Sequence, residues 1–140
     1  MGWHYLDTSA LVKLFRTEVD SAALRAWARA DVRMATSELT RAELVRALRR
    51  AGQDVSGVEP LLAGLLILGA DASLFREAAD LDPVELRTLD AVHLAAARRL
   101  QPELAGIVTY DQRLAQAAAA QGIPVVAPAD APSPRRFPPF

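Results

Sequence analysis

The chain of 140 residues contains no cysteine. This absence excludes disulfide bonds, thiolate zinc sites and cysteine nucleophiles. Lysine is represented by Lys13 alone, so arginine supplies nearly all of the positive charge. With 17 acidic and 16 basic side chains the net charge is −1, which neither indicates nor excludes a nucleic-acid partner.

Long hydrophobic runs are also missing. The longest apolar run, residues 61–70, contains two glycines and is half the roughly 20 residues that a membrane helix needs. We interpret this run as a buried or interface helix. The first residues mix polar and apolar side chains and reach Asp7 at once, which is unlike an export signal. We therefore expect a cytoplasmic protein without a membrane partner.

The residues that are present suffice for one domain with a sizeable core, because half of them are hydrophobic. Short β-type runs alternate with longer helical ones, which favours an α/β domain with a mainly parallel sheet. Residues 1–128 make up the expected domain. From Ala127 onward the chain has five prolines and no periodic pattern. Residues 129–140 are therefore expected to form a Pro-rich, irregular or loosely packed C-terminal tail.

Hydrophobic periodicity, together with helix and turn signals, predicts the individual elements. The predicted strands cover residues 3–6, 32–36, 70–72, 106–109 and 123–126. The predicted helices cover residues 9–15, 20–30, 37–51, 60–68, a segment through Phe75 and Ala79, 88–100 and 112–120. In the helix 88–100 the expected apolar stripe consists of Leu89, Val92, Ala96 and Leu100.

Two aspartates, Asp7 and Asp111, follow predicted strands. In open α/β sheets ligands bind at the carboxyl ends of the strands. An aspartate there is also a favoured N-cap of the next helix, and capping by itself explains either residue. Two strands that deliver an aspartate to the same edge, however, place two carboxylates on one side of the sheet. Chance capping explains that repetition less well.

Two further acidic residues, Asp90 and Glu43, lie on predicted helices. Asp90 is in the first turn of its helix, where the helix dipole favours an anion, and the neighbouring stripe predicts a position at the edge of the core. Glu43 lies inside the helix 37–51. Taken alone it is best interpreted as a surface glutamate paired with Arg41, Arg46 or Arg50.

The four acidic residues together could bind a metal ion, which none of them indicates alone. Carboxylates 4 Å apart repel each other by about 4 kcal/mol at an effective dielectric constant near 20, so such a cluster needs a cation. Oxygen ligands suit Mg²⁺ or Mn²⁺ rather than zinc. Such an ion orients and acidifies a water and stabilises the charge that grows on a phosphodiester.

Other chemical motifs are weak or missing. His93 follows Asp90 by one helical turn and could act as a general base, but a packed or solvent-facing histidine is the favoured interpretation. The chain contains only two histidines, His4 and His93, which disfavours a metal site built from histidine ligands. The sequence has no P-loop, no dinucleotide-binding fingerprint and no GxSxG motif.

Four local strings resemble the motifs of PIN-domain proteins, especially VapC-type toxins of type II toxin–antitoxin systems. They are YLDTSALVKL (residues 5–14), TRAELVRAL (40–48), LRTLDAVHLA (86–95), and VTYDQRL (108–114) followed by GIPVV (122–126). One such string would be a weak signal, whereas four in the same order and spacing are a strong one. The resemblance extends from Tyr5 to Pro128 and leaves the Pro-rich tail outside.

The resemblance implies a fold and an activity. The fold is a PIN-like parallel sheet of four or five strands between layers of helices, and the activity is Mg²⁺- or Mn²⁺-dependent cleavage of RNA. Carried over by position, Asp7, Glu43, Asp90 and Asp111 form the catalytic acidic group. Asp7 and Asp90 are expected to bind the ion directly, and Asp111 directly or through water. Glu43 is expected to position or deprotonate the attacking water.

The resemblance also implies neighbours and partners. Thr8, Ser9 and Thr109 are expected to hydrogen-bond the carboxylates. Arginines near the groove, such as Arg16, Arg41 or Arg87, are expected to contact RNA. Members of this group pair as homodimers and are silenced by a cognate VapB-type antitoxin. No second acidic residue adjoins Asp111, so a fully occupied two-metal site is not predicted.

Two alternatives fit part of the pattern. A haloacid-dehalogenase-type phosphatase also places an aspartate after its first strand and uses Mg²⁺, but it needs a second aspartate two residues later as the general acid, where this chain has Ser9. A non-catalytic domain that retains the fold for protein binding is the second alternative. The presence of all four acidic residues disfavours it.

Overall fold

The computed structural model of the chain describes residues 2–131. Within that range the chain alternates strands with helices. Their order and bounds are β1 (Trp3–Leu6), α1 (Thr8–Phe15), α2 (Ser21–Arg29), β2 (Arg33–Ser37), α3 (Glu38–Arg50), α4 (Val58–Leu62), β3 (Leu66–Leu68), α5 (Ala72–Ala79), α6 (Thr88–Arg98), β4 (Leu104–Val108), α7 (Gln112–Ala120) and β5 (Val125–Val126).

The five strands form one parallel sheet in the order β3-β2-β1-β4-β5. The chain adds β2 and β3 on one side of β1 and then β4 and β5 on the other. The strand order therefore reverses beside β1, and open α/β sheets bind ligands outside the carboxyl ends of the strands at such a point. Asp7 and Asp111 both lie at this edge. The predicted α/β fold, with helices on both sides of a parallel sheet, is confirmed.

Two layers of helices enclose the sheet because strand side chains alternate between its faces. Tyr5 belongs to the core cluster shared with α5, α6 and α7, whereas Leu6 belongs to the cluster shared with α1 to α4. Helix α6 lies deepest, since residues 91–97 are all buried. Four of these seven residues are alanines, whose small side chains let the helix pack closely against the sheet. Gly106 similarly allows β4 and β5 to approach, because a Cβ there would lie 2.9 Å from the carbonyl oxygen of Pro124.

The apolar run 61–70 does not form the predicted helix. Helix α4 ends at Leu62, and Leu66–Leu68 form strand β3 beside β2. The prediction was wrong because leucine fits either element, and pairing with β2, a tertiary contact, decided the outcome. The predicted strand 70–72 was also wrong, since Asp71 instead caps α5 by accepting from the N–H of Leu74 at 2.8 Å.

Most other element boundaries shift by one or two residues. The helix predicted at 88–100 ends at Arg98, and the strand predicted at 106–109 runs over Leu104–Val108. The last predicted strand, 123–126, is shorter because the N–H of Ile123 donates to the carbonyl of Ala118 and thus belongs to the end of α7.

The segment after β5, residues 127–131, includes the first three residues of the predicted tail and packs on the domain. Residues 127–131 have no regular secondary structure, as predicted. The Tyr110 hydroxyl donates to the carbonyl oxygen of Pro128 at 2.7 Å. Burial raises the pKa of this hydroxyl to about 12, with smaller contributions from Asp20 and Asp130. The rest of the predicted tail, residues 132–140, lies outside the described residues.

Asp130 attaches the same segment to the start of α2. Its carboxylate accepts from the backbone N–H groups of Asp20, at 2.8 Å, and Ala23, at 2.9 Å. In return the N–H of Asp130 donates to the carboxylate of Asp20 at 2.8 Å. These reciprocal bonds support the left-handed conformation of Asp20, whose φ is 70°. Within residues 2–131 no helix combines the length and the apolar character needed to cross a bilayer.

Candidate active site

Asp7 lies between β1 and α1 and is almost completely buried. Its Oδ1 accepts from the N–H of Ala10 at 3.0 Å and from the Ser9 hydroxyl at 2.7 Å, so Asp7 is the N-cap of α1. Its Oδ2 accepts from the Thr109 hydroxyl at 2.5 Å. The capping interpretation is therefore confirmed, and so is the predicted support of this carboxylate by Ser9 and Thr109.

The Asp7 carboxyl is harder to ionise than a carboxyl in water. Burial raises its pKa above the usual value because the charged form is poorly solvated. The hydrogen bond from Thr109, the charge of His93, and the bonds from Ser9 and Ala10 lower the pKa without cancelling the effect of burial. A nearby cation is what stabilises the ionised form of such a carboxylate.

Asp111 is linked to Asp7 through Thr109. Asp111 caps α7, since its Oδ1 accepts from the N–H groups of Arg113 at 2.9 Å and Leu114 at 3.1 Å. Its own N–H donates to the Thr109 hydroxyl oxygen at 3.1 Å, and that hydroxyl donates to Asp7. Thr109 thus joins the two strand-end aspartates at the point where the strand order reverses.

Asp90 lies in the first turn of α6 and is half-buried. Burial raises the pKa of its carboxyl, and the negative charges of Asp111, Asp7 and Glu43 raise it further, against the charge of His93. Asp111, Asp7 and Glu43 are therefore all close enough to Asp90 to repel its negative charge. The prediction that Leu89 belongs to the core was wrong, because its side chain is 47% exposed.

Glu43 faces this group from α3. Its Oε1 accepts from the Thr8 hydroxyl at 2.8 Å and lies 2.6 Å from Nε2 of His93. The interpretation of Glu43 as a surface partner of arginines was wrong, whereas the predicted bond from Thr8 is confirmed. Burial raises the pKa of the Glu43 carboxyl, but the hydrogen bond and charge of His93 together with the Thr8 bond outweigh burial, so the pKa lies below its usual value.

His93 has a larger part in this arrangement than the sequence suggested. Its ring is 3% exposed and lies between Glu43 and the buried Tyr5, whose hydroxyl is 2.8 Å from Nδ1 and donates to Ser37 at 2.9 Å. Tyr5 and Ser37 were missed. The signal for Tyr5 was a phenol on a buried strand two residues before Asp7, because a buried hydroxyl needs a polar partner.

The donor set suits a hard divalent cation in kind. Asp7, Asp90 and Asp111 offer oxygen atoms, and the raised pKa of Asp7 and of Asp90 reflects negative charge or burial without sufficient compensation. In their present side-chain conformations, however, no three His, Asp or Glu residues between residues 2 and 131 are arranged so that they could hold a metal ion. Binding an ion would therefore require these side chains to move.

Comparison with known proteins gives two kinds of match. Residues 4–120 match the family described as PIN domain. Ribonuclease VapC46 of Mycobacterium tuberculosis (strain ATCC 25618 / H37Rv) is 44% identical over 125 residues, which cover 89% of this chain and 96% of that protein. Ribonuclease VapC35 of Mycobacterium tuberculosis (strain CDC 1551 / Oshkosh) is 45% identical over 132 residues, which cover 91% of this chain and 98% of that protein.

Solved structures share the fold at lower identity. VapC20 of Mycobacterium tuberculosis, described as a sarcin-ricin loop cleaving toxin, has a TM-score of 0.69 at 20% identity, covering 89% of this chain and 99% of its own. A chain of a toxin–antitoxin complex from Klebsiella pneumoniae has a TM-score of 0.65 at 23% identity, covering 91% and 99%. Since the family match spans most of the sequence and the curated relatives match it over nearly their whole length, the chain belongs to the PIN-domain family and, within it, to the VapC type.

Proposed function

We propose that this protein is an endoribonuclease that acts as the toxin of a toxin–antitoxin pair and hydrolyses RNA phosphodiester bonds with a divalent metal ion. Its curated relatives are named ribonucleases. The observation that carries the proposal is the repulsion of the Asp90 charge by Asp111, Asp7 and Glu43, next to the point where the strand order reverses. Such repulsion lowers the stability of the folded protein, and a cluster of this kind is typical of a site that binds a cation for its function.

The proposed roles follow from where each carboxylate lies. Asp7, Asp90 and Asp111 would hold Mg²⁺, with Mn²⁺ as the alternative ion. When bound, the ion would supply Lewis-acid chemistry, which would acidify a water and offset charge on the phosphodiester. Glu43 orients the attacking water or accepts its proton. A lowered pKa keeps Glu43 ionised, and therefore able to accept a hydrogen bond, at neutral pH.

Ser9 argues against phosphatase chemistry of the haloacid-dehalogenase type. It occupies the position at which that chemistry needs a second aspartate as general acid. Here the Ser9 hydroxyl donates to Asp7 Oδ1 at 2.7 Å and its oxygen accepts from the N–H of Tyr110 at 2.9 Å. The residue is therefore a support for the Asp7 carboxylate, which suits the nuclease.

Exposed arginines supply the proposed contacts to RNA phosphates. Arg16 and Arg87 are exposed, and both lie close in sequence to elements that carry the acidic residues. Arg41 is a weaker candidate than the sequence suggested, because Glu38 and Glu59 already form ion pairs with it.

We further propose a cognate VapB-type antitoxin and a homodimer as the protein's assemblies. A toxin–antitoxin complex among the structural neighbours supports the first, and the exposed apolar side chains of Phe75, Val84 and Leu89 suit an interface. Residues 1–128 are the proposed nuclease domain and residues 129–140 its C-terminal tail. The proposed location is the cytoplasm, where RNA targets of such a toxin occur.

The experiment is RNA cleavage by the purified chain, free of antitoxin, with Mg²⁺ or Mn²⁺. Structured and single-stranded RNA are both tested, and EDTA and Asp7→Asn are the two inactivating controls. Asp31→Asn, at an exposed aspartate before β2, is the matched variant and should cleave like the wild type. Metal-dependent cleavage that is lost with EDTA and in Asp7→Asn supports the proposal. Absence of both cleavage and metal binding in the wild type would overturn it and favour a PIN-like binding module.

A further inference from the structure

Glu43 also contacts a network of buried polar side chains, formed by His93, Tyr5 and Ser37. Tyr5, fully buried in the central strand β1, hydrogen-bonds Ser37 at the end of β2 and contacts His93 on α6. His93 in turn contacts Glu43 on α3. Two central strands and two helices are therefore joined through one imidazole ring.

The bond between His93 and Glu43 has a defined direction. An ionised carboxylate can only accept, so Nε2 of His93 carries the hydrogen of the 2.6 Å contact. The other nitrogen, Nδ1, lies 2.8 Å from the Tyr5 hydroxyl, and that contact fixes the orientation of the ring. The ring cannot swing away, because its residue is 3% exposed and Tyr5 is completely enclosed.

The two oxygens of Glu43 differ as a result. Oε1 is held twice, by the Thr8 hydroxyl and by His93. Oε2 has no hydrogen-bonding partner within residues 2–131, while the side chain as a whole is 25% exposed. A free glutamate side chain samples many rotamers, and ordering it costs conformational entropy. Anchoring Oε1 therefore leaves Oε2 as the oxygen that is free to accept a further hydrogen bond.

We propose that His93 is a positioning residue: held by Tyr5, it fixes Glu43 so that Oε2 receives the water that attacks the RNA phosphodiester. This proposal rests on the proposed function and adds His93 and Tyr5 to it. His93 acts through Glu43, so its contribution exists only while Glu43 is a carboxylate. A histidine that merely fills the core would contribute equally with or without that carboxylate.

A double-mutant cycle separates these two roles. Substitutions of residues that support a functional group typically reduce activity by about 10–100-fold, so we expect His93→Leu to lower kcat by that factor with KM for RNA within about twofold. In the Glu43→Gln background the same change should lower kcat by less than about twofold. His93→Gln, which retains an N–H for Glu43, should recover most of the loss. His4→Gln is the matched control and should leave kcat unchanged.

A measurement without RNA tests the contacts directly. Proton NMR of the metal-free protein should show a downfield Nε2–H signal from His93, which is lost in Glu43→Gln and shifted in Tyr5→Phe. Absence of that signal from the folded wild type would overturn the proposal. Equal losses of kcat for His93→Leu in both backgrounds would also overturn it, because they indicate a purely structural role.

Failure of the proposed function gives a different pattern. The wild type would then not cleave RNA with metal, while the NMR signal and its loss in Glu43→Gln would persist. That pattern overturns the catalytic part of both proposals and leaves only a structural hydrogen bond.

Discussion

Replacing Thr109 with valine tests how the site holds its most buried carboxylate. Thr109 is 1% exposed and joins the two strand-end aspartates. Its hydroxyl donates to Asp7 Oδ2 at 2.5 Å and accepts from the N–H of Asp111 at 3.1 Å. Thr109→Val keeps the shape of the side chain and removes these two bonds, together with a longer contact of 3.4 Å to the Ser9 hydroxyl.

The expected loss follows from these contacts. A hydrogen bond to a charged group contributes about 1.5–3 kcal/mol, and an additional methyl group in the core recovers about 0.8 kcal/mol. Since the Asp111 N–H also loses its acceptor, the net loss is about 2 kcal/mol. In a domain of this size a loss of 1 kcal/mol in unfolding free energy lowers Tm by about 3–4 °C, so the Tm of Thr109→Val should be lower by about 6–8 °C.

The assay is thermal unfolding followed by circular dichroism at pH 7 in EDTA. Thr109→Ser is the matched variant, because it keeps the hydroxyl and loses only the methyl group, for a fall of about half that size. The reasoning would be refuted if valine and serine lowered Tm equally. In the Asp7→Asn background the cost of Thr109→Val should shrink, since the charged acceptor is gone.

The same variant has a defined pH dependence. The folded-state pKa of Asp7 lies above its ordinary value of 3.8, so stability falls as the pH rises from 3.8 to the folded-state pKa, and the full penalty is present above it. This penalty disappears as the pH falls below 3.8, where the carboxyl is protonated in both states. The Thr109 bond is the largest effect that lowers this pKa, so its removal raises the pKa further. The Tm difference between wild type and Thr109→Val should therefore be largest at neutral pH and shrink on acidification.

Three further predictions concern other parts of the molecule. Gly106→Ala should lower the free energy of unfolding in urea by about 1–3 kcal/mol, because the new Cβ would press on the carbonyl of Pro124. Gly69→Ala, at an open position, should change it by less than about 0.5 kcal/mol, and equal effects of the two substitutions would contradict this packing. Asp130→Ala should cost about 1 kcal/mol and speed hydrogen exchange of the Asp20 and Ala23 amides, and unchanged exchange would show that the contact is absent in solution. Asp90→Asn should raise Tm in EDTA at pH 7, because burial and the negative charges of Asp111, Asp7 and Glu43 disfavour the ionised carboxyl that the substitution removes. A gain in Tm that persisted at pH 3 would refute this electrostatic explanation.

The features that the sequence predicts well are those set by local pattern. Strand β1 and helix α7 have the predicted bounds, and the positions of Asp7 and Asp111 after strands follow directly from that alternation. The resemblance of four strings predicted the family, and with it the grouping of Glu43 and Asp90 with the strand-end aspartates. Metal coordination by these residues stays a prediction.

The features that it predicts poorly depend on contacts between distant segments. The run 61–70 is leucine-rich and compatible with a helix, and only pairing with β2 makes part of it a strand. Leu89 matched the apolar period but lies where α6 begins, beyond the layer that covers the sheet. His93 looked like an ordinary packed histidine, because the partners that define it, Tyr5 and Glu43, are far away in sequence.

The central position of β1 has a consequence for protein synthesis. β1 is made before the other four strands of the sheet, yet one of its two neighbours is β4, which follows about 100 residues later. β1 can pair with β4 only after the whole chain between them has been made, so the sheet cannot be completed early in translation. Asp7 therefore spends most of the synthesis without Thr109 or Asp111 beside it. By this reasoning the four acidic residues come together only after β4 has docked.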